Sequence, residues 1–193
     1  MESTSRLKPL LVLNEVLEKR YADLADHGAR VARYSETTAE ELGLSRAAVD
    51  RLRLAGRLHD LGKVGVPSEV LEKPGSLDGR EWAQVRMHPE IGANLLASSN
   101  QDDIAEYVLA HHERPDGRGY PHRREDADIP LEAKVLAAAD AYDAMVSERV
   151  YRPALTPQEA GRELRAGAGT QFDGHVVDAF LRALDSRRGL VAA

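Results

Sequence analysis

The sequence predicts a single all-α domain, and three observations carry that expectation. Apolar residues recur at helical spacing through most of the 193-residue chain, no run alternates polar and apolar residues as a strand does, and the one long interruption is polar. The length is enough for one sizeable hydrophobic core.

The elements follow in order. Leu7, Leu10, Leu11, Leu13, Val16 and Leu17 mark an N-terminal helical segment over residues 1–20 that packs on the domain. Residues 21–188 form the domain itself, and 189–193 a C-terminal tail, with fraying expected after Arg187. Val49, Leu52, Leu54, Ala55 and Leu58 define a second amphipathic stretch, which Ser45 can cap. A short break runs from Gly62 to Pro67. The segment from Pro115 to Pro130 reads as a loop, with Gly117, Gly119 and Pro121 among charged side chains. A loop this long in a compact domain is usually functional or disordered. Thr156, Pro157 and Glu159 supply a cap, a first-turn proline and a capping-box glutamate for a further helix. A last helix is expected from near Asp173 through Phe180 to about Leu184.

Composition narrows the function. With no cysteine, disulfides and thiolate metal sites are excluded, so any metal must be held by histidine and carboxylate. A net charge of -6 and an aromatic content of 5 % lack the basic face and stacking platforms of a nucleic-acid binder, so no DNA or RNA partner is expected. No run reaches the length of a membrane span and Met1 to Leu10 has no signal-peptide core, which predicts a cytoplasmic protein with no membrane partner.

The histidines stand beside features that a metal site needs. His59-Asp60 ends the apolar helix LRLAGRLHD, and His111-His112 ends a second, IAEYVLAHH. Adjacent helical side chains diverge by about 100°, which suits a carboxylate that flanks or bridges a metal held by its neighbour. Asp23 and His27, four apart, can share a helix face. Asp140 follows KVLAAAD, a stretch expected to be buried, where a carboxylate is costly unless paired or metal-bound. His88 precedes Pro89 at a helix boundary, well placed to point inward. Nothing beside His122 or His175 raises them above surface histidines. The set predicts a His/Asp site for iron, manganese or zinc, with the hard carboxylates favouring the first two.

Read together, several segments resemble the HD-GYP family of HD metal-dependent phosphohydrolases. They are HDLGKVGVP from His59, LEKPGSL from Leu71, HPEIG from His88, HHERPDGRGYP from His111, ADAYDAM from Ala139, ERVYRPA from Glu148 and QFDGHVVDAF from Gln171. The resemblance implies a helical bundle with two or three divalent ions that hydrolyses a cyclic dinucleotide, chiefly cyclic di-GMP. By position it implies metal ligation by His59, Asp60, His88, His111, His112 and Asp140, with Asp23 and His27 at the family's acidic residue and histidine four apart. It assigns Asp60 and Lys63 to catalysis, and Gly119, Tyr120, Arg149 and Arg152 to the substrate. Departures are Asp23 for a glutamate, which argues against a third ion, Val150 and Gly174 for prolines, and Lys134 for an arginine.

Such chemistry places two ions about 3.5–4 Å apart, where they activate water and clamp phosphate oxygens. Asp60 is the natural bridge, Lys63 neutralises developing phosphoryl charge, and Arg149 and Arg152 offer forked donors to phosphate. Arg114, Arg118, Arg123 and Arg124 read equally as a steering rim or as solvated loop cations. Two other functions stay open: a cyclic-dinucleotide sensor without turnover, and an HD phosphohydrolase acting on another nucleotide. The partners left open are signalling proteins or a second copy of the chain.

Overall fold

The computed structural model describes residues 2–21, 24, 26–148 and 153–191. Among these the regular structure is helical, with no strand beyond two isolated bridges, Asp116 with Glu125 and Ala168 with Phe172, and the expected loop between Pro115 and Pro130 is present. Ten α-helices follow in order: α1 Glu2–Arg20, α2 His27–Glu41, α3 Arg46–Leu58, α4 Ser68–Leu71, α5 Gly79–Val85, α6 His88–Ser98, α7 Asp102–Ala110, α8 Leu131–Val146, α9 Pro157–Ala166 and α10 Gly174–Val191. A 3-10 turn, Leu61–Gly65, separates α3 from α4. No helix of the described residues is long and apolar enough to cross a membrane.

The caps read from sequence are present. Ser45 accepts from Ala48 N at the start of α3, and Thr156 with Glu159 forms a full capping box on α9. Each satisfies backbone donors that the first helical turn otherwise leaves unpaired. Helix α10 departs from expectation: it continues to Val191 rather than ending near Leu184. Extending an existing helix costs little per residue, so it needs no further apolar face to run on.

Helix α2 packs against α3, α8 and α10, while α7 joins α6, α3 and α8. Between them lie the fully covered side chains Val31, Leu52, Leu58, Leu96, Val108, Leu136, Leu164 and Phe180. Tyr34 meets Tyr142 edge-on at 5.2 Å between ring centroids, and both rings touch Phe180, geometry that aromatic quadrupoles favour. On α1, Leu10 and Leu17 join this core, but Val16 is exposed.

One glycine decides how the halves meet. The 3-10 turn lies against the start of α6 so closely that a Cβ on Gly62 would stand 2.6 Å from Gly92 N and overlap the His88 carbonyl. Only glycine permits this approach, which brings the His59-Asp60 end of α3 up to His88.

Candidate metal centre

Three helix ends converge on one space. His59 caps the C-terminus of α3, His111 caps that of α7, and His88 opens α6. Each turns its Nδ1 to the carbonyl three residues earlier: Gly56 at 2.8 Å, Val108 at 2.5 Å and Val85 at 2.7 Å. A carbonyl only accepts, so each Nδ1 carries the proton and each Nε2 presents a lone pair inward. All three side chains are buried.

The fourth histidine is fixed differently. His27 opens α2 and donates from Nδ1 to Asp143 Oδ2 at 2.7 Å. Its Nε2 lies 3.2 Å from Asp140 Oδ1 and 3.8 Å from Asp60 Oδ2. His112 closes the set, its ring 4.0 Å from that of His111 and 5.1 Å from that of His88.

Two groups result, each with its donor atoms within 4.8 Å of one another: His88, His111 and His112, and beside them His27, His59 and Asp60. Asp60 stands between them. Its Oδ1 faces His88 Nε2 at 3.5 Å, while Oδ2 faces His59 Nε2 at 3.5 Å and His27 Nε2 at 3.8 Å. Asp140 adjoins the second group, with Oδ1 3.8 Å from His59 Nε2. Contrary to the sequence expectation, the Asp140 side chain is not fully covered, because it opens on a cleft.

Without a cation the arrangement is unfavourable. His59 Nε2 is buried with no hydrogen-bond partner, and its lone pair looks at two carboxylates. His88 Nε2 faces His111 Nε2 at 3.4 Å, lone pair to lone pair, since both protons sit on Nδ1. Unpaired buried acceptors are costly. Divalent ions resolve all of these contacts at once, and the nitrogen and carboxylate donors fit them.

The protonation states agree. Burial pushes the His88 and His111 pKa values down and that of His112 to about 3, so all three are neutral, as metal ligation requires. Burial works against charge on Asp60 and Asp140 too. The fields of Lys63 and the histidines outweigh it at Asp60, and the His27 hydrogen bond with the histidine fields does so at Asp140, holding both well below the usual carboxylate range. For His27, burial opposes protonation, but hydrogen bonds to Asp140 and Asp143 prevail and raise its pKa to about 9. A metal ligand must be deprotonated, so this proton would leave when His27 ligates an ion.

Around the centre runs a cleft of about 600 Å3, lined among others by Arg20, Tyr21, Lys63, Trp82 and Tyr120. Lys63 Nζ donates to Asp60 Oδ2 at 2.7 Å. Gly119 packs so closely on the preceding chain that a Cβ would lie 2.5 Å from Glu113 Cα and Arg114 N. That contact tucks Tyr120 beneath the loop, its N bonded to His112 O and its ring 4.7 Å from the His112 ring. Of the loop cations, Arg114 is committed to Asp116 and Arg124 to Glu106, whereas Arg118 and Arg123 are exposed.

Three candidate residues, Asp23, Arg149 and Arg152, lie outside the described residues. The expected pairing of Asp23 with His27 therefore also lies outside the described residues; His27 itself opens α2 directly after Asp26, whose φ is 59°. The sequence reading missed two buried carboxylates. Asp143 holds His27 and also receives Arg30; its spacing of three from Asp140 on α8 was the available signal. Glu113, next to His112, accepts from His122 N and Arg124 N and so ties down the loop.

Comparison with known proteins places this centre. The HD-domain family description matches residues 11–176, and the chain belongs to that family. It is closely related to the HD-GYP phosphodiesterases. It is 39 % identical over 176 residues to a cyclic di-GMP phosphodiesterase of Thermotoga maritima, covering 90 % of this chain and 48 % of that protein. A 3'3'-cGAMP-specific phosphodiesterase 2 of Vibrio cholerae is 37 % identical, over 90 % of this chain and 34 % of that one. This chain thus spans half or less of the curated relatives named. The solved structure of a cyclic GMP-AMP specific phosphodiesterase of V. cholerae shares the fold, with a TM-score of 0.73 at 18 % identity, over 94 % of this chain and 49 % of that one. Homology to catalytic HD-domain phosphodiesterases, with the clustered histidines, supports enzymatic activity.

Proposed function

We propose that this chain is a metal-dependent phosphodiesterase that cleaves a cyclic dinucleotide, cyclic di-GMP first among them, to the linear dinucleotide. The observation that carries this reading is the orphaned, buried Nε2 of His59, aimed between two carboxylates, Asp60 and Asp140, that line an open cleft. The relatives named above act on cyclic di-GMP or cyclic GMP-AMP, and the centre itself favours neither.

In this reading His88, His111 and His112 would hold one ion and His27, His59 and Asp140 a second, with Asp60, which faces both histidine groups, shared between them. The pair is iron or manganese, and when bound it supplies Lewis-acid charge and an activated water. Lys63, which cannot ligate while charged, balances negative charge on the phosphate being cut. Gly119 and Tyr120 shape the substrate wall. Arg149 and Arg152 grip the phosphate that is not cut, and Asp23 supports His27 from outside the ligand set.

Elemental analysis after anaerobic purification should give at least two ions per chain, alongside product analysis with cyclic di-GMP and 3'3'-cGAMP. One ion or fewer after reconstitution with excess metal sinks the two-ion reading. Release of no linear product from either dinucleotide sinks the activity.

A further inference from the structure

The chain's one tryptophan, Trp82, sits on the wall of the metal-centre cleft and remains 47 % exposed. Its helix, α5, buries none of its residues, so packing does not account for its position. Polar contacts hold it instead. Asp78 accepts from Arg80 N and Glu81 N, Glu81 accepts from Asp78 N, and Lys73 Nζ donates to both Glu81 oxygens at 2.8 and 2.6 Å. The Arg86 guanidinium lies 5.9 Å from the Trp82 ring centroid and 5.4 Å from that of Tyr120, within cation–π reach of both rings. The fixed indole therefore lies along the cleft that also holds Lys63 and the histidine cluster.

We propose that Trp82 is the stacking platform for a purine base of the substrate, a specificity-determining residue one step removed from the phosphate chemistry. The inference rests on the phosphodiesterase reading above. A cleft of about 600 Å3 falls in the range that takes a whole small-molecule ligand. Its floor suits phosphate, so a nucleotide seated there needs an apolar, planar surface for its base. Trp82 is the large apolar side chain of the cleft that is left exposed.

A single tryptophan makes the test direct, because intrinsic fluorescence reports Trp82 alone. GMP has no phosphodiester bond to cut and should quench that emission saturably in the metal-loaded protein. Ribose 5-phosphate and inorganic phosphate, which lack the base, should not. Trp82→Ala should raise the KM for cyclic di-GMP about tenfold or more, the scale of a lost base stack, with kcat within about twofold. Trp82→Phe should restore most of the loss. Quenching by ribose 5-phosphate equal to that by GMP, or an unchanged KM in Trp82→Ala, overturns the platform. Base-dependent quenching in a protein that cleaves no cyclic dinucleotide supports the platform and overturns the activity, so the two failures are distinct.

Discussion

His27 donates its Nδ1 proton to Asp143 across 2.7 Å, and Asp143 is itself gripped by both arms of Arg30 at 2.7 and 2.9 Å. A carboxylate behind a ligating imidazole fixes its tautomer and raises its basicity, and loss of such a partner typically costs about 10–100-fold in metal affinity. Asp143→Asn keeps the shape and removes the charge. Its metal affinity, measured by competition with a chromophoric chelator, should fall in that range while the helical circular dichroism is unchanged. An affinity equal to wild type would falsify the positioning role.

Asp140 and Asp143, which both hold the His27 proton, tie the alkaline stability of the metal-free protein to it. The folded pKa of His27 is about 9 against an ordinary 6.5, so the folded state binds this proton more tightly than the unfolded chain. Its contribution is present in full below pH 6.5 and is lost as pH rises through about 9. At 1.36 kcal/mol per unit it amounts to roughly 3 kcal/mol. His88, His111 and His112 are shifted the other way, so their effect falls on the acid side of pH 6.5. The Tm of chelator-stripped wild type should drop between pH 6.5 and 9.5, whereas His27→Gln should be nearly flat there. Parallel curves count against a protonated His27.

Glu113 is 3 % exposed and spends both oxygens on the loop, accepting from His122 N and Arg124 N. Hydrogen bonds to a charged acceptor contribute about 1.5–3 kcal/mol each. Glu113→Ala should therefore loosen residues 117–124 selectively, with amide exchange there about tenfold faster or more and the rest of the chain unchanged. Turnover should fall with it, since Tyr120 depends on the same loop. Uniform acceleration of exchange across all helices would mean global destabilisation instead.

How much of this was legible in the sequence depends on what each residue does for packing. The core was readable because Val49, Leu52, Ala55 and Leu58 repeat with the helix and are buried, while Leu54, read with them, is half-buried at its edge. The histidine cluster was readable because polar pairs close apolar helices, and the structure brings those pairs together. Helix α5 left no apolar signal, because it buries nothing; its Asp78–Glu81 capping box was the only trace. The turn before His27 was hidden because Asp26 carries the left-handed φ of 59° that glycine usually marks. Asp143 and Glu113 drew no reading of their own, since burial of a carboxylate shows fully only when its distant partners are known.

The sharpest division between chemistry and scaffold falls at Lys63. Its Nζ lies 2.7 Å from Asp60 Oδ2, and the side chain is about one-fifth exposed toward the cleft. An ammonium in that position can either neutralise a phosphate above the carboxylate or merely hold Asp60 in place, and the two roles differ in what they spare. If it acts on the phosphate, Lys63→Ala should lower kcat for cyclic di-GMP about a hundredfold, the scale of a lost transition-state donor. Its metal content should then match wild type. Asp60→Ala should lose metal and activity together, because both histidine groups face that carboxylate. Elemental analysis beside steady-state kinetics on the two variants separates these outcomes. If Lys63→Ala sheds its metal as well, the lysine is a support for Asp60 and its electrostatic role is wrong.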